Sequence, residues 1–373
     1  MNPFVTRGYA GPEYFCDREK ETQDIVRLLT NGNNLALISP RRLGKTDLIR
    51  HCFARPSLCD HYNTFLIDIY ATNTLRDFVN VLGKAILDAL KPRGRKAWEG
   101  FLSVLTSLQT ELSFDFSGNP VWSLGLAGIE NPDATLDEIF YYLNHADRPC
   151  VVAIDEFQQI TSYPDGDRVE ATLRSHIQRC SNAVFLFSGS RRHLMGNIFS
   201  SPSRPFYQSV VTMSLAPISC EKYAEFAARL FRDNGKTLLP GVAERVYQQF
   251  DGVTLCLQRV MNVLFMNTPD GGSATIDMVG DAVTYLLNLL GDNFETMVAQ
   301  LPEKQRAVLR AIAAEGAVKS ISSGAFNKHH RLLSPSSTVA ATKALIEKDL
   351  VTQENGHYTV YDRFLALWLK QNN

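Results

Sequence analysis

Three short stretches bring together residue types that could handle a polyphosphate. The first is SPRRLGKTD, Ser39 to Asp47. Its Gly44-Lys45-Thr46 closes a loop of the form GxxxxGK[ST], with Ser39 standing where the first glycine usually does. In such a loop the backbone N–H groups and the following helix N-terminus face phosphate oxygens. Gly44 lets the chain approach without a Cβ. Lys45 reaches the β- and γ-phosphates, and the Thr46 hydroxyl is placed for Mg²⁺. Ser39, Pro40, Arg41, Arg42, Leu43 and Asp47 complete the binding stretch; Pro40 stiffens the bend. The second stretch is PCVVAIDEFQQI, an apolar strand from Cys150 to Ile154 ending in Asp155-Glu156. Asp155 fits the metal-holding role, and Glu156 can orient or deprotonate an attacking water. The third, AVFLFSGSRR, puts Ser188 at a strand end as a γ-phosphate sensor. Arg191 or Arg192 behind it could stabilise charge, and a surface turn with two solvated arginines explains that pair equally.

The surrounding pattern supplies the elements to hold these groups. NNLALIS reads as a buried parallel strand, and TDLIRHCF sets Leu48, Ile49, Cys52 and Phe53 on one helical face. Strands are expected at Leu35–Ser39, Thr64–Ile69, Cys150–Asp155, Val184–Ser188 and Val210–Ser214, with helices between them. That alternation predicts a parallel, three-layer α/β domain. A first helix follows Asp17 as N-cap, with Glu19 and Glu21 in its first turn. TELSFDFSGNPVWSLGLA, Thr110 to Ala127, predicts an inserted β-hairpin turning at Ser117-Gly118-Asn119-Pro120. From Ile218 to about Phe294 the pattern is helical. Tyr223, Phe226, Ala227 and Leu230 share a face, Gly235 stops the helix, and Asn267–Thr275 reads as a loop. Further helices then precede a hairpin over Leu350–Asp362, turning at Asn355-Gly356, which is the order of a winged helix-turn-helix. RFLALWLKQ adds a closing helix. The expected domains are 1–216 (core), 217–295 (helical lid) and 296–373 (winged helix).

Composition narrows the partners. The chain of 373 residues carries a formal net charge of -1, so nothing global draws it to nucleic acid or acidic lipid. Its seven cysteines are scattered without a CxxC pair, which predicts reduced thiols and a cytoplasmic protein. MNPFVTRGYAG shows no apolar signal region, and no apolar run reaches membrane length. The last module has more Lys/Arg than Asp/Glu, and NKHHRLL is a small basic cluster. The expected recognition helix is nevertheless rich in Ser and Thr, with few base-reading side chains. DNA is therefore the lesser reading for that module, behind a protein partner or self-association.

SPRRLGKT, VVAIDEF and FLFSGS together resemble the archaeal-type P-loop ATPases, close to STAND and AAA-like proteins. YFCDREKETQDIVRLL (Tyr14 to Leu29) resembles the segment that lies against adenine in that family. SRPFYQSVVTMSLAPIS, FDGVTLCLQRVMNVL and YTVYDRFLALWL resemble its later motifs. Gly252-Val253-Thr254 lacks the family's proline near the base. The resemblance implies a P-loop NTPase core with helical lid and C-terminal winged helix, ATP and Mg²⁺ as cofactors, and hydrolysis that switches the domain arrangement. It implies catalytic roles for Lys45, Glu156, Ser188 and Arg191, and metal contacts from Thr46 and Asp155. Arg204, in SSPSRPFYQ, is a candidate for reaching a neighbouring subunit. Two rival expectations are an ATP-regulated, DNA-associated winged-helix protein and a nucleotide-binding interaction protein with negligible turnover.

Overall fold

The computed structural model describes residues 2–107, 113–114, 120–121, 129–354 and 356–372. Two compact units are present, one from Arg7 to Ile218 and one from Ser219 onward joined by the N-terminal residues through Thr6.

In the first unit the strands are β1 (Leu35–Ile38), β2 (Asn63–Asp68), the short pair β3 (Ser113–Phe114) and β4 (Pro120–Val121), β5 (Cys150–Asp155), β6 (Ala183–Gly189) and β7 (Val211–Met213). Five of them form one parallel sheet in the order β2-β5-β6-β1-β7. The apolar runs that mark β1 and β5 are buried on both faces, because helices cover each side. On one face Leu35, Leu37, Val151, Ala153 and Leu186 pack with Ile25, Leu29, Leu48 and Ile49 from the helices Glu19–Thr30 and Lys45–Phe53. On the other, Val152, Ile154, Phe185 and Phe187 meet the helices Leu75–Leu90, Pro132–His145, Gly166–Arg179 and Arg192–Ser200. The expected parallel three-layer core is thus the observed one.

Local differences have local causes. The N-cap of Glu19–Thr30 is Arg18, in a left-handed conformation (φ 67°), where Asp17 was expected. Arg18 is buried and donates to Glu21 Oε1 and to the Ala216 carbonyl, both at 2.7 Å, which fixes it at the helix start. β3 and β4 pair antiparallel as a hairpin requires; of the expected turn 117–120, Pro120 opens β4 and residues 117–119 lie outside the described residues.

The second unit begins with the helices Cys220–Asp233, Val242–Gln249, Thr254–Asn267 and Asp277–Ala299. Tyr223, Phe226, Ala227 and Leu230 are all buried. The stretch read as a loop over 267–275 contains β9 (Ser273–Ala274), which pairs in parallel with β8 (Thr237–Leu238). Two residues are too few to show a strand period. Residues 2–6 were expected with the core but belong to this unit. Phe4 is fully buried against Phe231 and Phe265, and Asn2 and Asn262 each donate to the other segment at 2.8 Å. Helices Glu303–Glu315, Gly324–His329 and Pro335–Glu347 follow, then the wing β10 (Val351–Glu354) and β11 (His357–Val360), then helix Arg363–Gln371. Val318 bridges to Tyr358 and adds a third strand position to the wing. Of the expected wing turn, Asn355 lies outside the described residues and Gly356 sits at φ 78°.

Phe187 is fully buried, with Phe157, Phe199 and Phe206 all within 5.4 Å between ring centroids. Phe187→Ala should therefore destabilise the first unit by about 3–5 kcal/mol. The exposed Tyr141→Ala should change stability by about 0.5 kcal/mol or less. Urea unfolding followed by far-UV circular dichroism measures both, and equal midpoints for the two variants would contradict this packing.

Candidate functional site

The three chemistry-bearing stretches end on one side of the sheet. Asp68 of β2 and Asp155 of β5 are register partners, and Leu37 of β1 is the partner of Ser188 on β6. Ile154 pairs with Phe187, so one step on brings Asp155 abreast of Ser188. By strand alternation Asp68, Asp155 and Ser188 fall on the sheet face that helix Lys45–Phe53 covers.

The loop from Ser39 to Gly44 connects β1 to that helix. Its left-handed positions are Arg42 (φ 70°) and Gly44 (φ 84°). Ser39 is absent from the left-handed region, so this loop does not need a glycine there. Its N–H donates to Gly189 O at 3.3 Å, tying the loop to the end of β6. Lys45 is 6% exposed, and its Nζ donates to the carbonyls of Ser39 (2.8 Å) and Pro40 (2.9 Å). Burial pushes its amine down to about 8. Glu156 and then Asp155 oppose that shift, while Arg41 and Arg192 add to it.

The Thr46 hydroxyl donates to Asp155 Oδ2 at 2.5 Å, and Asp155 Oδ1 accepts from the Glu156 N–H at 3.0 Å. Glu156 itself stands in the left-handed region at φ 54°, ψ 40°. Such strain in a non-glycine residue persists only when its surroundings over-determine it. Here Ser190 Oγ donates to Glu156 Oε2 at 2.7 Å, Gln158 Nε2 donates to the same oxygen, and Arg41 Nε lies 3.9 Å from Oε1. Arg41 also donates to Ser190 Oγ at 3.2 Å, and its guanidinium lies over the Tyr70 ring. Ser188 is fully buried, with a hydroxyl oxygen that has no partner among the described residues. Burial raises the Asp68 and Asp47 carboxyls, and Asp155 adds to both shifts. A cleft of about 590 Å³ beside β2 touches Arg50, Lys84 and Asp68 but none of Lys45, Thr46, Asp155 or Glu156.

The arrangement can therefore neutralise a polyanion with Lys45 and offer oxygen donors from Thr46 and Asp155. It also holds an oriented carboxylate at Glu156. Arg191 and Arg192 follow β6, and the charge of Arg192 bears on Lys45. Arg204 is not brought to this group. Its guanidinium is paired with Asp167 at 2.6 Å and with the fully buried Glu170, a carboxylate that needs a cation beside it. Phe15 stacks on His51 at 4.2 Å, and the His51 Nδ1 meets the Tyr9 hydroxyl at 2.9 Å. Asp68, Gln158 and Ser190 were missed in the sequence. Asp68 had a signal, since FLIDIY repeats the apolar-run-then-acid pattern of VVAIDEF.

The first unit has the parallel three-layer fold of P-loop cores, and the second carries a helical segment followed by a winged helix. A family model described as "Probable winged helix domain" matches residues 292–371. Similar solved structures include a Walker-type ATPase of Pyrococcus abyssi, at 18% identity and TM-score 0.69, covering 99% of each chain. The Aeropyrum pernix ORC2 protein in ADPNP–ADP complexes matches at 14% identity and TM-score 0.61, covering 100% of this chain and 96% of that one. The Aeropyrum pernix ORC1 protein in complex with DNA matches at 12% identity and TM-score 0.52, covering 97% of this chain and 94% of that one. No curated protein matches the chain.

The Lys45 amine should titrate near 8, well below an ordinary lysine. Its rate of competitive acylation should level off above that pH, while exposed lysines keep gaining reactivity. Glu156→Gln removes the leading charge that opposes the shift, so it should lower the midpoint further. A midpoint unchanged or raised in Glu156→Gln would exclude the electrostatic coupling.

Proposed function

We propose that the chain binds ATP with Mg²⁺ at the Ser39–Asp47 loop and hydrolyses it, the reaction serving as a conformational switch. The observation that carries this reading is the 2.5 Å contact between Thr46 Oγ1 and Asp155 Oδ2, beside a buried Lys45 and a pinned Glu156. A hydroxyl and a carboxylate oxygen at contact distance suit a hard divalent cation, so the donor set fits Mg²⁺. When bound, the ion would supply charge neutralisation to the phosphates.

The protein's own groups account for the rest. Loop amides and Lys45 hold the β- and γ-phosphates; Lys45 exchanges its two carbonyl acceptors for phosphate oxygens as it does so. Glu156, already oriented by Ser190 and Gln158, accepts a proton from the attacking water. The Ser188 hydroxyl, buried and without a described partner, is a donor in reserve for the γ-phosphate. Arg191 and Arg192 are the candidate cis cations, and the charge of Arg192 already acts on Lys45. The cycle would change the arrangement of core, lid and winged helix, with a protein partner or second subunit reading it.

Lys45→Ala should abolish tight binding of a fluorescent ATP analogue with little change in melting temperature. Glu156→Gln should still bind Mg-ATP but turn over about 10²–10⁴-fold more slowly. Full turnover in Glu156→Gln would assign the water to another residue. Unaltered binding in Lys45→Ala would remove the loop from the reaction.

A second reading, contact between the winged helix and DNA, has one specific support: the similarly folded ORC1 protein was solved with DNA. Retention on duplex DNA that falls steeply with salt would favour it. Equal retention at low and high salt, or none, would leave the module to protein partners.

A further inference from the structure

We propose a transition-metal site in the winged helix, in which Glu315, His329 and His330 bind one Zn²⁺. Each offers one ligand atom, and the three atoms lie within 4.8 Å of one another. His330 Nε2 is already 2.9 Å from Glu315 Oε1. The two imidazoles stand nearly perpendicular, at 89°, with centroids 4.7 Å apart. Tetrahedral zinc with bonds of about 2.0–2.1 Å separates its ligand atoms by about 3.3 Å. Small side-chain rotations span the difference.

The backbone supporting this cluster is well fixed. Glu315 is the last residue of Glu303–Glu315, His329 the last of Gly324–His329, and His330 its C-cap. Two helix C-termini, each with partial negative charge, therefore meet at the proposed cation. The buried Asn327 anchors the second helix. Its Nδ2 donates to the Ile321 and Ser323 carbonyls, each at 2.9 Å, and its Oδ1 accepts from Thr338 Oγ1 at 2.5 Å. Phe326 packs its ring 4.8 Å from that of His330.

Ligand chemistry selects the ion. Lys328 and Arg331 flank the histidines in sequence, and Lys370 Nζ reaches the neighbourhood of Gly316. Net charge alone gives a hard cation little reason to settle here. Two imidazoles with one carboxylate suit Zn²⁺ and its neighbours, whereas Mg²⁺ and Ca²⁺ prefer all-oxygen sets. Three protein ligands leave a fourth position open to solvent or to a partner's side chain. Bound metal would pin the first two winged-helix helices to each other. None of the three ligands belongs to the phosphate loop or its strands, so the site is independent of the proposed ATPase reaction.

The test uses the full chain in a Cys59→Ser background, because Cys59 is an exposed thiol. After EDTA treatment and dialysis, Zn²⁺ is titrated by calorimetry, and Co²⁺ is added separately to read its tetrahedral visible absorption. The expected result is one Zn²⁺ lost, or weakened at least about tenfold, in each of His329→Ala and Glu315→Gln. The Co²⁺ band should disappear with it. Both positions are exposed, and circular dichroism verifies that the variants fold. No Zn²⁺ binding, or binding equal in the chain and both variants, would reduce the cluster to a Glu315–His330 ion pair and overturn the proposal.

Discussion

A buried ammonium group organises the first unit. Removing a charge from water costs several kcal/mol even after relaxation, so the site survives only if its surroundings answer that charge. For Lys45 the answer comes from the carbonyls of Ser39 and Pro40, six and five residues earlier in the chain. The loop must curl back over its own helix to deliver them. The remaining compensation is anionic and comes from another strand, since Asp155 ends β5 and Glu156 follows it. Loop, helix and β5 are thus held to one geometry, and β6 is held with them through the Ser39 N–H on Gly189 O.

Two strained backbone positions stand beside the same charge. Arg42 and Glu156 are left-handed without being glycine, a cost of order 1–3 kcal/mol each. The Glu156 side chain is satisfied twice over, by Ser190 and by Gln158, while Arg41 faces its other oxygen. Packing also limits the residue beside it. A Cβ at Gly189 would fall 2.4 Å from Gln158 Oε1 and 2.4 Å from Met195 Sδ, so the residue between Ser188 and Ser190 must stay small. The glycine at 189 therefore matters for space where Gly44 matters for φ.

Much of this was legible in the sequence because the core strands are apolar runs punctuated by polar ends. β5 appears with its expected bounds, and the other four differ by a residue or so at their termini. The Ser39–Thr46 loop and the Asp155-Glu156 pair were readable because each stretch adjoins such a run. What escaped was whatever depends on tertiary partners. Arg18 displaced Asp17 as helix cap because the Ala216 carbonyl, far along the chain, accepts from its guanidinium. Residues 2–6 look like an unpatterned lead-in, and only Phe231 and Phe265 reveal where Phe4 belongs. Ser190 and Gln158 carry no motif, because holding a carboxylate requires only a donor at the right distance. Asp68 has a legible signal in FLIDIY, but neither a phosphate-type loop nor a second acid adjoins it.

The buried Glu170 bears on where transition-state charge could be met. An arginine that acts at a phosphoryl transition state is worth about 10³–10⁵ in rate, or roughly 4–7 kcal/mol. Withdrawing Arg204 from a fully buried carboxylate would cost about 3–5 kcal/mol, because breaking one side of a buried pair leaves the other charge uncompensated. The gain and the loss are of the same order, so Arg204 is poorly suited to travel to a neighbouring subunit. Arg41 and Arg192 need no such withdrawal from Glu170. Arg41 already faces Glu156 and Ser190, and Arg192 already acts on the Lys45 charge. Both raise the electrostatic cost of a protonated Lys45 before any anion arrives, and a polyphosphate would relieve all three cations at once. On this balance the proposed reaction draws its positive charge from its own chain, and any dependence on a partner would act through the positions of Arg41 and Arg192.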